Sequence, residues 1–302
     1  MALRRRKKRN RQLINGWHFF LPGLLMLFAI VGVPLVASFV YSLHEVRLYR
    51  FHTQPFVGLE NYQQLLNDPL FWISTRVTLI YTAGVTFFSV LVGLVVALVL
   101  NRRDIRLRSL FIAFFLLPFV MTPVVVGIVW RLLMWEPEYG LVNYLLELVG
   151  LQGQPWLIDR GTALPATIAT NVWRLAPLAM LVLYAALTTI PDEYVEAATV
   201  DGAGYLSILW HVIFPMLRGH VLFISLIILT SAFREFDTIF SLTGGGPGRA
   251  TSVLSMLVYN RGINNSDMGY ANAVAFSMFV IVAVTSWLYI KVFRLRHGRD
   301  RS

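Results

Sequence analysis

The sequence contains no cysteine in 302 residues, which excludes disulfide bonds, thiolate metal sites and cysteine nucleophiles. Charged residues are also scarce, at 14%, where a soluble domain carries about 25%. Hydrophobic residues make up 57% of the chain, and its mean hydropathy is +0.64. This balance is typical of a membrane protein rather than of one or two soluble domains.

Recognisable catalytic motifs are missing as well. The glycine-rich segment 244–248 has no lysine, so it is not a Walker A loop. The chain has no His-Glu-x-x-His spacing and no Gly-x-Ser-x-Gly motif. We therefore expect a non-catalytic chain without a metal or cofactor of its own. The net charge of +10 lies at the ends of apolar runs, which indicates membrane topology and not a nucleic-acid partner.

Six apolar runs are long enough to cross a bilayer, which takes about 20 residues. Pro118 and Pro123 predict a bend in the third run. The first run is too long for the apolar part of a signal peptide, so we predict that it is retained. The predicted fold class is all-α, a polytopic transmembrane bundle of six membrane-spanning helices. The runs cover residues 19–41, 77–100, 110–130, 163–190, 221–242 and 270–290.

The distribution of lysine and arginine predicts the orientation. With the N-terminus inside, the inner segments carry 17 of these residues and the outer segments carry 7. The positive-inside rule then places both termini in the cytoplasm. Three tryptophans, Trp72, Trp130 and Trp135, fit interfacial anchors. The expected organisation is a basic cytoplasmic tail at 1–18, a first helix at 19–41, a core transmembrane domain at 73–293 with a loop at 191–219, and a basic cytoplasmic tail at 294–302.

The inner loop departs from the positive-inside pattern, because segment 191–220 contains only Arg218 and is net acidic. Acidic residues near Asp192 favour a helix N-terminus, and Ala197 and Ala198 are strong helix formers. Gly202 permits a sharp turn between two short helices. Four apolar residues at helical spacing predict packing of the second helix on the bundle: Leu206, Leu209, Ile213 and Leu217. Such a rigid loop suits contact with a partner.

Three segments of the chain resemble the permease subunits of sugar-type, binding-protein-dependent ABC importers, the maltose-transporter-like group. The first segment covers 56–62 and 68–72, and the third runs from Phe236 to Gly244-Gly245-Gly246-Pro247. The second contains Glu196-Ala197-Ala198 and Asp201-Gly202-Ala203, and it ends at Phe214-Pro215. The segments follow the order of that family along essentially the whole chain.

The resemblance implies a type I ABC importer permease fold in a bacterial or archaeal inner membrane. Such a permease takes a sugar, oligosaccharide or polyol from an extracytoplasmic solute-binding protein and moves it by alternating access. The implied partners are a second permease, two ATPase subunits that bind ATP and magnesium, and membrane lipid. The implied ATPase-docking residues are Glu196, Ala197, Ala198, Asp201, Gly202, Ala203 and Pro215.

A different class, the ion-gradient-driven secondary transporter, remains the alternative. Transporters of that class often contain inverted repeats and broken helices around a site near the middle of the membrane. No repeat is visible in this sequence, and the acidic inner loop would have no explanation. The sequence does not identify the solute or distinguish a homodimer from a heterodimer.

Charged residues inside the predicted spans are costly in lipid, so they should face the bundle interior or water. We expect Arg174 to pair with Glu235 or Asp237, because both groups fall in the outer half of neighbouring spans. One interpretation makes the cluster a structural pair or part of an outer vestibule, and the other makes it a substrate filter. Small residues at Ser89, Gly93 and Ala97 suit close helix packing. The candidate substrate path comprises Asn171, Trp173, Arg174, Tyr184, Thr230, Ser231, Arg234, Glu235, Phe236 and Asp237.

Overall fold

The computed structural model describes residues 20–50, 54–102 and 106–298. In this part of the chain the regular structure is helical, and β-pairing is limited to isolated bridges. The basic tail expected at 1–18 lies outside the described residues. The helices are α1 (Phe20–Ser42), α2 (Glu60–Asn67), α3 (Pro69–Leu100), α4 (Arg108–Val120), α5 (Pro123–Met134), α6 (Leu141–Leu148), α7 (Arg160–Leu187), α8 (Asp192–Val200), α9 (Tyr205–Phe233), α10 (Asp237–Leu242), α11 (Leu254–Tyr259) and α12 (Met268–Gly298).

Five of these helices are each long and apolar enough to cross a membrane, namely α1, α3, α7, α9 and α12. Helices α4 and α5 pass the same test only together, and their axes differ by 96°. If the bent pair counts as one span, the total is six. The predicted all-α, six-span fold class is thereby confirmed.

The bend between α4 and α5 lies at Pro123, the second of the two prolines predicted to cause it. Met121 and Thr122 are extended, with ψ of 140° and 143°, and Pro123 opens α5. A proline ring disfavours helical geometry in the residue before it, which explains the break. Pro118 lies inside α4 without ending it.

The fifth span differs from its prediction of 221–242. Helix α9 begins much earlier, at Tyr205, and ends at Phe233. Arg234 closes the helix with φ of −98° and ψ of 6°, and the short helix α10 begins at Asp237. Apolar side chains continue on both sides of this break, so hydropathy alone did not reveal it.

The chain divides into two compact units. The first combines the described residues up to Asp68 with Val258–Met278. Within it, Asp68 accepts hydrogen bonds from Arg261 at 2.6 Å and from the Tyr270 hydroxyl at 2.8 Å. The amide of Asn61 donates to the carbonyl oxygens of Ser42 and His44. The two bonds to Asp68 join segments that lie about 200 residues apart in sequence.

The second unit covers Pro69–Leu257 and continues from Phe279. Its centre is the close packing of α3 on α7. A Cβ atom on Gly93 would lie 2.5 Å from Ala179 Cβ and 2.7 Å from the backbone nitrogen of Met180. Ser89 and Ala97 are fully buried, so the small residues do face a neighbouring helix, as predicted. Glycine is required at Gly93 because backbone atoms cannot yield to a larger side chain.

Residues between α5 and α7 fold back on the same unit. The side-chain oxygen of Asn143 accepts hydrogen bonds from Gln154 N–H and Trp156 Nε1, and its amide donates to two carbonyl oxygens. Trp135 is buried, and its Nε1 donates to Thr170 Oγ1 at 2.8 Å. The prediction that Trp135 is an interfacial anchor is therefore wrong, since its polar atom is satisfied inside the protein. Trp72 is 54% exposed.

Candidate functional site

The loop predicted to dock a partner is a helix, a turn and a second helix. Helix α8 begins after Pro191 and has Asp192 and Glu193 in its first turn, where the helix dipole favours negative charge. At its end, Ala203 N–H donates to Ala198 O at 2.9 Å and Gly202 N–H donates to Thr199 O at 3.0 Å. These two bonds are those of a Schellman motif.

Gly202 occupies the left-handed position of this motif, with φ of +82°. No atom lies within 4 Å of the position that its Cβ would occupy, so backbone conformation and not space requires glycine there. The spacing from Ala198 to Gly202 thus fixes where α8 ends. The direction of the chain into α9 follows from this one turn.

The surface of the loop is exposed and only partly polar. Glu196, Ala197, Asp201 and Gly202 are exposed, and Ala198 and Ala203 are partly exposed. Large apolar side chains beside them are also exposed: Tyr194 at 56%, Val200 at 88%, Tyr205 at 59%, Leu206 at 68% and Trp210 at 64%. An exposed apolar patch rimmed by charge is typical of a protein interaction site.

Two details of the second helix differ from expectation. Leu217 is buried as predicted, but Leu206 is exposed and does not pack on the bundle. Pro215 lies ten residues into α9, about 15 Å from its start, and follows a π-helical turn at Leu209–Ile213. Pro215 is therefore part of the long helix and not of the turn at Gly202.

The charged cluster predicted inside the spans is centred on an ion pair. Arg174 Nη2 lies 2.8 Å from Glu235 Oε2, and the two side chains are 10% and 6% exposed. Arg174 Nε also donates to Asn171 Oδ1 at 3.0 Å. The expectation that Arg174 pairs with Glu235 or Asp237 is thus met by Glu235.

Glu235 serves a second purpose at the break between α9 and α10. Its Oε1 accepts a hydrogen bond from Thr238 N–H at 3.0 Å, which satisfies a free donor in the first turn of α10. Ser255 Oγ donates to the carbonyl oxygen of Glu235 at 2.6 Å. The Glu235 carboxylate therefore pairs with Arg174 through one oxygen and caps α10 through the other. A buried charge is tolerated in the protein interior when it is paired and hydrogen-bonded in this way.

The other candidate path residues are not gathered around this pair. Arg234 and Asp237 are exposed, and Arg234 Nε donates to Thr230 O. Thr230 Oγ1 donates to carbonyl oxygens of its own helix, and Ser231 is partly exposed. Trp173 packs edge-on against Trp130 with ring centroids 5.5 Å apart, and Phe236 stacks on Phe240.

Tyr184 lies apart from the rest of that set. It is 13 residues beyond Asn171 on α7, about 20 Å along the helix. Its hydroxyl accepts a hydrogen bond from Arg108 at 3.1 Å. Arg108 also lines a cavity of about 270 Å³ with Asn101, Thr188 and Asp192, at the end of α7 next to the docking loop.

The sequence prediction missed Tyr81, which completes the polar cluster. Asn171 Nδ2 donates to the Tyr81 hydroxyl at 2.6 Å, and Tyr81 is fully buried. A usable signal was present, because polar residues recur every four positions along α3 and mark its buried face. These residues are Ser74, Thr78, Thr82 and Thr86, and Thr78 Oγ1 accepts a hydrogen bond from Leu254 N–H.

The described residues thus combine helices long and apolar enough to cross a membrane, a rigid loop with an exposed apolar surface, and a polar cluster held by internal hydrogen bonds. These features are compatible with a membrane transport protein. Comparison with known families agrees with this class. Residues 89–294 match the family described as binding-protein-dependent transport system inner membrane component. The chain belongs to this family, which confirms the resemblance to ABC importer permeases.

Individual relatives cover nearly the whole chain. It is 36% identical over 292 residues to the probable ABC transporter permease protein y4oQ of Sinorhizobium fredii, covering 96% of this chain and 93% of the relative. It is 34% identical to the trehalose/maltose transport system permease protein MalF of Thermococcus litoralis, covering 96% and 97%.

The fold also matches solved structures. A bacterial ABC transporter that imports the acidic polysaccharide alginate superposes with a TM-score of 0.75 at 21% identity, covering 97% of this chain and 99% of that one. The same transporter in complex with an alginate pentasaccharide-bound periplasmic protein gives a TM-score of 0.74. These matches establish the type I ABC importer permease fold. The family match and the several long apolar helices indicate a multi-pass protein of the inner membrane.

Proposed function

We propose that this chain carries a sugar, oligosaccharide or polyol across the inner membrane after an extracytoplasmic binding protein delivers it. Several relatives support this solute class, since their names specify trehalose/maltose, multiple sugars and arabinooligosaccharides. Transport proceeds by alternating access in a complex with a second permease. This chain performs no chemistry itself.

The energy for transport comes from two ATPase subunits that bind ATP and magnesium and dock on the α8–α9 loop. The observation that carries this proposal is the exposed surface around Glu196, with Val200, Leu206 and Trp210 projecting from a turn fixed by Gly202. Tyr194 and Val200 lie on α8, which is not one of the membrane-spanning helices, and large apolar side chains exposed there need a protein partner to cover them. The acidic residues of the loop complement a basic groove on that partner.

In the substrate path we assign different roles to buried and accessible residues. Arg174, Glu235 and Asn171 hold α7 against the break between α9 and α10, because their charges and amide are satisfied by one another. The more accessible Trp173, Arg234, Phe236 and Asp237 contact the solute or its route. Aromatic faces and a few placed polar groups are the usual means of holding a sugar.

Co-purification tests the docking proposal. The tagged chain is extracted from native membranes in mild detergent, and the proteins that accompany it are identified by mass spectrometry. We expect an ATPase and a second permease with the wild-type chain, and loss of the ATPase with Glu196→Lys. Glu147→Lys is the matched control, since Glu147 is an exposed acid on α6, far from the loop in sequence.

Recovery of the chain without partners, in a form that transports solute under an ion gradient, would contradict the proposal and favour a secondary transporter. Retention of the ATPase by Glu196→Lys would instead move the docking surface away from this loop.

A further inference from the structure

A second site lies at the start of α3, at the end of this helix that is farther from the docking loop. It is a cavity of about 850 Å³ lined by Arg76 on α3, Arg160 at the start of α7, and Arg249 in the loop after α10. Three arginines from three separate segments therefore line one space. The relatives and the motifs discussed above assign no role to it.

These arginines have no acidic partner among the residues that the structure describes. The ion pairs found there involve Arg47, Arg174 and Arg261 instead. Asp159 is next to Arg160 in sequence, but its carboxylate caps α7 by accepting from Gly161 N–H at 2.8 Å. The lining thus carries three positive charges, and the Asp159 carboxylate, which lies beside the lining residue Gly161, offsets them only in part.

The rest of the lining is largely apolar. Ile73, Val77 and Ile80 lie on one face of α3, and Leu164 and Pro165 continue the wall on α7. Ile73 is 41% exposed and Ile80 is 45% exposed, on a helix whose most apolar window has a mean hydropathy of 2.6. The ligand that fits has a negatively charged head and an apolar body.

The depth of the cavity agrees with such a ligand. Helix α3 has 32 residues and is about 48 Å long, about 18 Å more than the hydrocarbon core of a bilayer. Arg76 is seven residues from the helix start, about 10 Å along its axis, so a centred helix places it at the hydrocarbon boundary. Arg160 is the first residue of α7. Both therefore lie at the level of lipid headgroups, where long basic side chains are tolerated.

We propose that the Arg76–Arg160–Arg249 cavity binds the phosphate of an anionic phospholipid, with an acyl chain that runs along Val77 and Ile80, on the membrane side of Arg76. Guanidinium groups pair with phosphate oxygens through two parallel hydrogen bonds, which suits a cluster of arginines. A small soluble anion would use the charges but leave the apolar wall and most of the volume unfilled. The proposal is the same for either orientation of the chain, since only the leaflet changes.

Lipid titration tests this site. The full chain, purified with its co-purifying subunits and stripped of lipid, is titrated with phosphatidylglycerol, and bound lipid is counted by native mass spectrometry. Each of Arg76→Gln, Arg160→Gln and Arg249→Gln should weaken binding about fivefold, and the triple variant about a hundredfold, given the usual contribution of one basic residue at an anionic surface. Arg160→Lys should lose less affinity than Arg160→Gln, because lysine keeps the charge but cannot form the two parallel hydrogen bonds.

The control is Arg131→Gln, which removes an exposed arginine that does not line the cavity. Unchanged binding in that variant, together with weaker binding of phosphatidylethanolamine by the wild type, would support the proposal. Equal affinity for the two lipids, or full binding by the triple variant, would overturn it. Competition by soluble glycerol phosphate as strong as that by the lipid would assign the cavity to a free anion instead.

Discussion

At the scale of single residues, the buried charges of this permease serve structure first. Arg174 and Glu235 are almost completely enclosed, and each has a second hydrogen-bond partner besides the other. Burying two charges carries a large desolvation penalty. The attraction between the charges offsets that penalty only when their geometry is good and further hydrogen bonds satisfy their remaining polar atoms. The arrangement here meets that condition, so removing one partner should do more harm than removing both.

Charge neutralisation at this pair gives a direct test. Arg174→Gln and Glu235→Gln should each destabilise the protein by about 3–5 kcal/mol, because an unpaired buried charge remains. The double variant should recover most of that loss, since two glutamines can keep the bonds to Asn171 and Thr238. Thermal unfolding in detergent, followed by tryptophan fluorescence, measures the effect.

Asp237→Asn is the control for this series, because Asp237 is exposed and lies two residues from Glu235. It should leave the unfolding temperature unchanged. Losses that simply add in the double variant would argue against a mutually compensating pair, and a change confined to solute affinity would place Arg174 in the substrate path.

At the scale of elements, a helix end could be predicted when local sequence determines it, but not when long-range contacts do. The end of α8 was predictable, because Gly202 after an alanine-rich segment marks a left-handed C-terminal residue. The break at Arg234–Phe236 was not predictable, since it depends on the Glu235 carboxylate capping α10 and pairing with a residue 61 positions away. Long-range bonds of this kind leave no periodic pattern in the local sequence.

The buried polar face of α3 likewise combines a feature that is visible in the local sequence with one that depends on long-range contacts. Hydropathy predicted a span at 77–100, whereas the helix begins at Pro69, because the polar residues from Ser74 to Arg76 lower the hydropathy of its first turns. Ser74 and Thr78 both face inward. Their spacing of four is visible in the sequence. The hydrogen bond between the buried Tyr81 hydroxyl and Asn171 could not be predicted in the same way, because it depends on how α3 packs against α7.

The turn at Gly202 supplies the prediction at this scale. Gly202→Val should reduce solute-stimulated ATP hydrolysis by the purified complex, because a β-branched residue disfavours φ of +82° and would redirect the chain into α9. Gly202→Asn should retain most of the activity, since asparagine tolerates the left-handed conformation. The expected cost of the strained conformation is about 1–2 kcal/mol.

Gly204 offers a matched control two residues away, with an ordinary φ of −71° and open space around it. Gly204→Val should leave the activity intact. Equal loss in both valine variants would show that bulk at the interface matters and that the backbone conformation does not.

At the scale of the whole molecule, basic residues are distributed unevenly, with few in the docking loop and three around the arginine-lined cavity. An acidic loop with only Arg218 is unusual for a cytoplasmic segment, but it fits one whose surface is covered by a partner. The arginine-lined cavity lies at the opposite end of the bundle's long helix. If both proposals hold, one end of the permease faces a protein that supplies energy, and the other binds lipid headgroups.

This orientation can be measured without disturbing the chain, because it contains no native cysteine. Leu151→Cys and Asn101→Cys place one exposed thiol on each predicted side of the membrane. A membrane-impermeant maleimide applied to intact spheroplasts should label Leu151→Cys only, and permeabilisation should add labelling of Asn101→Cys. Val200→Cys, in the docking loop, should behave like Asn101→Cys and gain further labelling once the ATPase is removed. The reverse pattern would place the loop outside, where it could not meet an ATPase, so the coupling proposal and the topology fail together.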